Sequence, residues 1–306
     1  MGITREQALD YCNSDDLIGI GMAADAIRRQ LHPENVVTYT IDRTLALNDP
    51  HLDHKAEEAL DMGATALILR ADTSLSLPAI EQALAALSTR YPALTLHGLS
   101  ATTIVALGGH LADTLARLQA SGLASLSGND AAILDDAVQS PTPRCTVAEW
   151  LAVHRAAHAL GLPTTAAMHF GAGETHEHRI AHLEALNHLQ QETGGFTAFV
   201  PTVFQPAASG LRGFEEATAV EYLKTLSIAR LVLDTIPNLQ ADWPTQGLKT
   251  LQVSLRFGAN DVGTTLPGDT LKSPDGTTEE DLRRIIRGAG LRPAQRDTTY
   301  RTLFLN

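Results

Sequence analysis

The chain has 306 residues, 44% of them hydrophobic and 19% charged, which is ordinary for a globular protein and ample for one large α/β core. A net charge of −12 argues against nonspecific contact with nucleic acid or anionic membranes, yet a local arginine could still hold an anionic small ligand. Two cysteines, Cys12 and Cys145, are too few for a disulfide framework or a four-thiolate site. The polar start MGITREQALDY and the lack of any apolar window of roughly 20 residues lead to the expectation of a soluble, cytoplasmic protein.

Residues 4–31 read as helical, with Leu9, Leu17, Ile20, Ala24 and Ile27 at helical spacing, stopped by His32-Pro33. A strand–helix rhythm follows. Strands are expected at 36–41, 64–69, 94–99, 123–126, 164–170, 196–203, within 237–243, and at Phe257–Asn260. Helices are expected at 51–62, 78–91, 101–120, from Thr146-x-x-Glu149 to Gly161, from Thr175 to Gly194-Gly195, at 216–235, at 245–255 and at 278–288. Thr146-x-x-Glu149 has the capping-box spacing, and Thr278-x-x-Asp281 has the same shape at the last helix.

Eight strand–helix units with no composition break predict a (β/α)8 TIM-type barrel, with a doubly wound sheet as the alternative. The expected organisation is a single domain: an N-terminal helical segment (1–33), the barrel (34–262) and a C-terminal extension (263–306).

Barrel chemistry sits where the strands end. That rule selects Asp42 and Arg43, Arg70 and Asp72, His97 and Ser100, Asn129 and Asp130, His169 with Gly171 to Glu174, Gln205, Gln240 and Trp243, and Asn260 with Asp261. The carboxylates could act as acids or bases, and His97 and His169 as proton carriers or, more weakly, as metal ligands. Each could equally be a helix cap or a loop anchor. His154/His158 and His178/His182 have the i, i+4 spacing of metal ligands but lack the glutamate of H-E-x-x-H, and a surface position on the outer helices is expected for both pairs. Gly171-Ala172-Gly173-Glu174 lacks the rest of a dinucleotide fingerprint.

Several strings resemble one family. They are Val37-Thr38-Tyr39-Thr40-Ile41-Asp42-Arg43, Leu96-His97, Thr164-Thr165-Ala166, Phe170-Gly171 with Glu174-Thr175, and Glu192 to Phe199 followed by Phe204-Gln205-Pro206. Ile236 to Ala241, Gln246-Gly247, Phe257 to Asp261 and the closing Pro293-Ala294-Gln295-Arg296-Asp297-Thr298-x-Tyr300 continue the series. Together they resemble the radical S-adenosylmethionine (SAM) barrel enzymes of the futalosine menaquinone pathway and deazaflavin synthesis. The closing string is most similar to the dehypoxanthine futalosine cyclase branch. The resemblance implies a radical SAM barrel and a nucleoside-like or tyrosine-like substrate.

In that family the first strand leads into a C-x3-C-x2-C loop holding a [4Fe–4S] cluster that binds SAM. Here Arg43 runs through Thr44 to Asp49 straight into a helix, with no thiol between Cys12 and Cys145. Arg70-Ala71-Asp72 stands where the family has a glycine pair, Ala132 where it has Glu, and His169 and Ala172 where it has Met and His. These departures lead to the expectation of no cofactor: no cluster, with SAM and metal unlikely. His169, Asp72, Arg70 and Glu174 are then the catalytic candidates, and Asp42, His97, Gln205, Gln240, Trp243, Asn260 and Asp261 the ligand-binding ones. The expected function is binding, with non-radical acid–base chemistry, of a futalosine-like or other nucleoside-derived molecule. The alternative is an inactive binding or regulatory role, as a homodimer or paired with an active radical SAM relative. Neither nucleic acid nor membrane is an expected partner.

Overall fold

Val36–Thr40 (β1) and Asp42–Ala46 (β2) are two halves of one largely β-branched run, divided at Ile41. The structure, a computed structural model, describes residues 2–72, 74–138, 144–206, 215–265 and 276–305. β2 opens a seven-stranded parallel sheet that continues, in order, with Ala66–Arg70 (β3), Thr95–Gly98 (β4), Leu123–Leu126 (β5), Thr164–Phe170 (β6), Phe196–Val203 (β7) and Asn238–Leu239 (β8). Asp261–Thr264 (β9) pairs in parallel with β1, and a bridge from Gln240 to Asp261 ties it to the β8 side. The sheet therefore closes. Counting β1 and β2 as one strand, eight parallel strands form the expected TIM-type barrel, and closure excludes the open doubly wound sheet.

Two helices, Arg5–Asn13 (α1) and Leu17–Leu31 (α2), precede the barrel. Its outer ring is Leu52–Asp61 (α3), Leu77–Arg90 (α4), Ala101–Leu107 (α5), Leu111–Ala120 (α6), Val147–Ala159 (α7), His176–Thr193 (α8), Ala219–Val232 (α9), Trp243–Ser254 (α10) and Glu279–Gly288 (α11). Capping boxes form at Thr146/Glu149, Thr175/His178 and Thr278/Asp281, so side chains satisfy the first backbone donors of α7, α8 and α11. Gly194 ends α8 with φ 66°, a left-handed cap that glycine adopts without steric cost. Among the described residues no helix is long and apolar enough to cross a membrane.

Four expectations change. The single helix over 4–31 is two helices, because the Asp16 carboxylate accepts from the Gly19 N–H at 2.8 Å and starts α2 afresh. The helix over 101–120 also splits, at Gly108 and Gly109, whose φ angles are 71° and 79°. The eighth strand is not Phe257–Asn260 but Asp261–Thr264; Gly258 at φ 102° turns the chain there, against the buried Arg230 side chain. His154, His158 and His182 are not surface residues. His154 and His182 are fully buried, and His154 and His158 both bond the Thr164 hydroxyl between α7 and β6. His154 packs against Trp150 and Phe196, His158 against Phe196, and His182 against Phe199, where its Nδ1 accepts from the Leu134 N–H; the Nε2 atoms of His154 and His182 are buried without a partner among the described residues.

The C-terminal segment is more than an appendage. Arg292–Arg296 (β10) runs parallel to β1, with Val36 opposite Arg292 and Tyr39 opposite Gln295, and Thr302–Leu305 (β11) returns antiparallel to it. Because β10 lies beside Val36 to Tyr39, the turn after Arg296 reaches the cavity beside Thr40 and Asp42.

Candidate functional site

Side chains alternate across a strand, so every second residue faces the barrel interior. Thr40, Asp42 and Thr44 share that face of the first strand, as do Ile68 and Arg70 on β3, Thr165 and Ala167 on β6, and Val200 and Thr202 on β7. Together with His97, Ser127, Gln240, Asp242 and Thr264 they line a cavity of about 610 Å3, which Arg296, Thr298 and Tyr300 close from the C-terminal segment. Arg70, Ser100 and Asn129 stand at the strand-end rim. A volume of this order suits a small organic ligand.

Four expected site residues, Asp42, Arg70, His97 and Gln240, are brought together on this wall. Asp42 is buried, and burial pushes its carboxyl up to about 6, although the Thr264 hydroxyl and the Arg296 guanidinium favour the charged form. His97 bonds the Ser125 hydroxyl through Nδ1 at 2.6 Å. Burial, assisted by the Arg296 charge, lowers its imidazole to about 4, so it is neutral at pH 7. Arg70 is exposed at the rim.

The other candidates are placed elsewhere. His169 lies on the inward face at the top of β6, bonded through Nδ1 to Thr202 at 2.9 Å, and burial lowers its pKa. Asp72 is exposed and accepts from the Ser74 N–H. Glu174 accepts from the Gly171 and Ala172 N–H groups and pairs with Arg179 at 2.6 Å, which fixes the loop after β6. Gln205 follows β7, its amide nitrogen buried without a partner. Trp243 is buried and donates to the Thr264 carbonyl. Asn260 bonds Arg230 and the Leu239 N–H, which secures the β8–β9 crossing. Asp261 grips Arg296 in a buried two-pronged pair at 2.5 and 2.8 Å and accepts from Thr38. That carboxylate outweighs burial and raises the Arg296 pKa.

Residue-by-residue reading of the strand ends missed Asp242, Thr298, Tyr300 and the inward threonines and serines. Asp242 follows Gln240 by two positions and so shares its face, a signal the strand period contained. Burial raises its carboxyl to about 6, opposed by a hydrogen bond from Thr245. Tyr300 stacks under Arg296 at 3.8 Å. Tyr300 belongs to the closing string that carries the family resemblance, and to no barrel strand. Asp130 accepts from Thr102 N–H and Trp150 Nε1, a structural use. Among the described residues no group of three or more His, Cys, Asp or Glu is gathered to hold a metal.

A closed parallel barrel with a polar cavity and helices before and after it defines the class by its fold: a TIM-type barrel. It resembles crystal structures of methylornithine synthase (TM-score 0.73, 14% identity, covering 96% of this chain and 95% of that one) and of HydG, a maturase of the [FeFe]-hydrogenase (TM-score 0.72, 14% identity, 98% and 74%). The family model for the CofH/MqnC C-terminal region matches residues 193–305. The cyclic dehypoxanthine futalosine synthases of Streptomyces coelicolor (31% identity, covering 99% of this chain and 86% of that one) and Halalkalibacterium halodurans (30%, 97% and 90%) are similar over nearly the whole chain. The aminodeoxyfutalosine synthase of Thermus thermophilus is 39% identical over 62% of this chain and 54% of its own. The chain belongs to this radical SAM family of the menaquinone futalosine pathway.

Membership corrects one expectation. The chain was expected to take no cofactor, neither a [4Fe–4S] cluster nor SAM, but its relatives are radical SAM enzymes that use both, and the barrel that carries them is retained. The thiols of this chain are Cys12 in α1 and Cys145 ahead of α7, both half-buried and neither on the cavity wall. They do not make up a three-thiolate cradle.

Proposed function

We propose that the barrel cavity binds a futalosine-like or other nucleoside-derived small molecule and that Asp42, Asp242 and His97 supply acid–base chemistry to it. One observation carries the reading: two buried carboxyls, both raised to about 6, and a neutral imidazole line one polar cavity. A carboxyl with a pKa near 6 exchanges a proton readily at neutral pH, and a neutral imidazole accepts one. The test is calorimetric titration with dehypoxanthine futalosine, followed by mass analysis of the mixture. Turnover by the parent that falls at least about 100-fold in Asp42→Asn supports the reading, and absence of binding by the parent defeats it.

A second reading is a binding or regulatory protein, alone as a homodimer or beside an active relative. It is favoured by the placement of the four catalytic candidates, of which Arg70 alone is on the cavity wall while Glu174 is committed to Arg179. Tight binding without turnover supports this second reading.

A further inference from the structure

The C-terminal turn Asp297 to Tyr300 holds a feature that packing does not explain. Thr298 is buried, 5% exposed, and lines the cavity, yet its hydroxyl has no hydrogen-bond partner. A buried hydroxyl left unpaired costs about 1–3 kcal/mol, so a fold under no other demand would place valine there, which has the same shape. Tyr300, two residues on, presents a second hydroxyl to the same cavity and accepts a long 3.3 Å hydrogen bond from Arg296.

The turn is built to hold both in place. The Asp297 carboxylate accepts from the backbone N–H groups of Thr299 and Arg301, from the Thr299 hydroxyl and from Arg301 Nε. Arg296 donates to the Asp297 carbonyl while gripping Asp261, which anchors the turn to β9. Tyr300 sits at φ 64°, a conformation that costs a bulky residue free energy and persists only where its surroundings over-determine it.

We infer that Thr298, assisted by Tyr300, is a specificity-determining residue of the cavity, reading a ligand group that both donates and accepts a hydrogen bond, such as a hydroxyl. This deepens the proposed function and rests on the cavity being the ligand site. It makes the C-terminal segment part of that site and not an outer strap. A hydroxyl of the ligand completes the Thr298 hydroxyl, and Tyr300 answers it from the other side of the turn.

The experiment compares the parent with Thr298→Val, Thr298→Ser and Tyr300→Phe, using calorimetric titration with dehypoxanthine futalosine and thermal unfolding without ligand. Thr298→Val is expected to weaken binding about 5- to 30-fold, a hydrogen bond's worth, while Thr298→Ser stays within about 3-fold. Without ligand, Thr298→Val is expected to unfold at the parent's temperature or above it, because it removes an unpaired buried hydroxyl. Tyr300→Phe keeps the stacking on Arg296 and is expected to weaken binding by a smaller factor. Parent-like binding by Thr298→Val overturns the inference, and so does a lowered unfolding temperature, which would mark the hydroxyl as structural. If the parent fails to bind this probe, the proposed function fails on that result alone. The unfolding comparison then still decides whether the Thr298 hydroxyl serves the fold or the cavity.

Discussion

Replacing Asp261 by alanine strips one side of a buried ion pair. Asp261 is fully buried and Arg296 is 4% exposed, with the two contacts at 2.5 and 2.8 Å, so almost no solvent is available to the guanidinium that remains. Removing one partner of such a pair typically costs about 3–5 kcal/mol, most of it the penalty of an uncompensated buried charge. Unfolding entropy of about 2.1 cal/mol/K per residue gives roughly 0.64 kcal/mol/K for 306 residues, so Asp261→Ala should lower the unfolding temperature by about 5–8 °C. Thermal unfolding followed by circular dichroism measures this directly. Adding Arg296→Met should recover part of the loss, since the stranded charge is then gone. A drop under about 1.5 °C, or a double variant no more stable than the single one, would refute the account of the pair as the clamp between the C-terminal segment and β9.

The raised carboxyls make a pH-dependent prediction. With folded pKa values near 6 against about 3.9 unfolded, Asp42 and Asp242 favour the fold below pH 4, and that contribution is lost as pH rises through 6, at up to about 3 kcal/mol each. Asp42→Asn should therefore be more stable relative to the parent at pH 7.5 than at pH 4, and an unchanged difference in urea unfolding would count against the shift. The buried histidines act in the opposite sense. His97 and His158 fall to about 4, His182 to about 3 and His154 well below its usual value, so each contributes stability that is present above pH 6.5 and lost on acidification. These lowered histidines outnumber the two raised carboxyls, so stability should fall on acidification between pH 6 and 5, and a flat urea midpoint over that range would contradict it. At Gly98, φ 133°, a Cβ would lie 2.2 Å from the Leu69 carbonyl oxygen of the neighbouring strand. Gly98→Ala should cost about 3 kcal/mol or more, read as lost soluble yield or a lower urea midpoint.

The barrel was legible because its signal is periodic and local. β-branched runs, capping boxes and glycine stops repeat along the chain, and each depends on neighbours within a few residues. What failed was local too, but hidden under continuous apolar patterns. The Leu9-to-Ile27 stripe runs unbroken across the Asp16 cap, and only the side chain's hydrogen bond reveals the new helix. Phe257–Asn260 looked like a strand because the turn depends on Gly258 packing against Arg230, a contact made over a long separation. The site divided in the same way. Asp42, Arg70, His97 and Gln240 follow from the strand-end rule, whereas Asp261 and Asn260 sit at a strand end and still serve the framework, because their partners Arg296 and Arg230 come from distant segments. Thr298 and Tyr300 were beyond that rule because they belong to no barrel strand. The expected lack of cofactor rested on the missing cysteine loop and a few altered positions, Arg70 to Asp72, Ala132, His169 and Ala172, whereas the family relationship spans the chain.

The pairing of β1 with β10 also sets the order in which the protein can be made. Val36 finds its neighbour Arg292 only after more than two hundred intervening residues have been added, and the cavity gains Thr298 and Tyr300 later still. During synthesis the earlier strands can assemble while this edge of the first strand waits unpaired and the interior stays open to water. A chain stalled before Arg292 would carry most of the barrel and none of its closing turn. The nine residues from Arg292 to Tyr300 thus supply both the strand that covers this edge of β1 and the turn that closes the cavity.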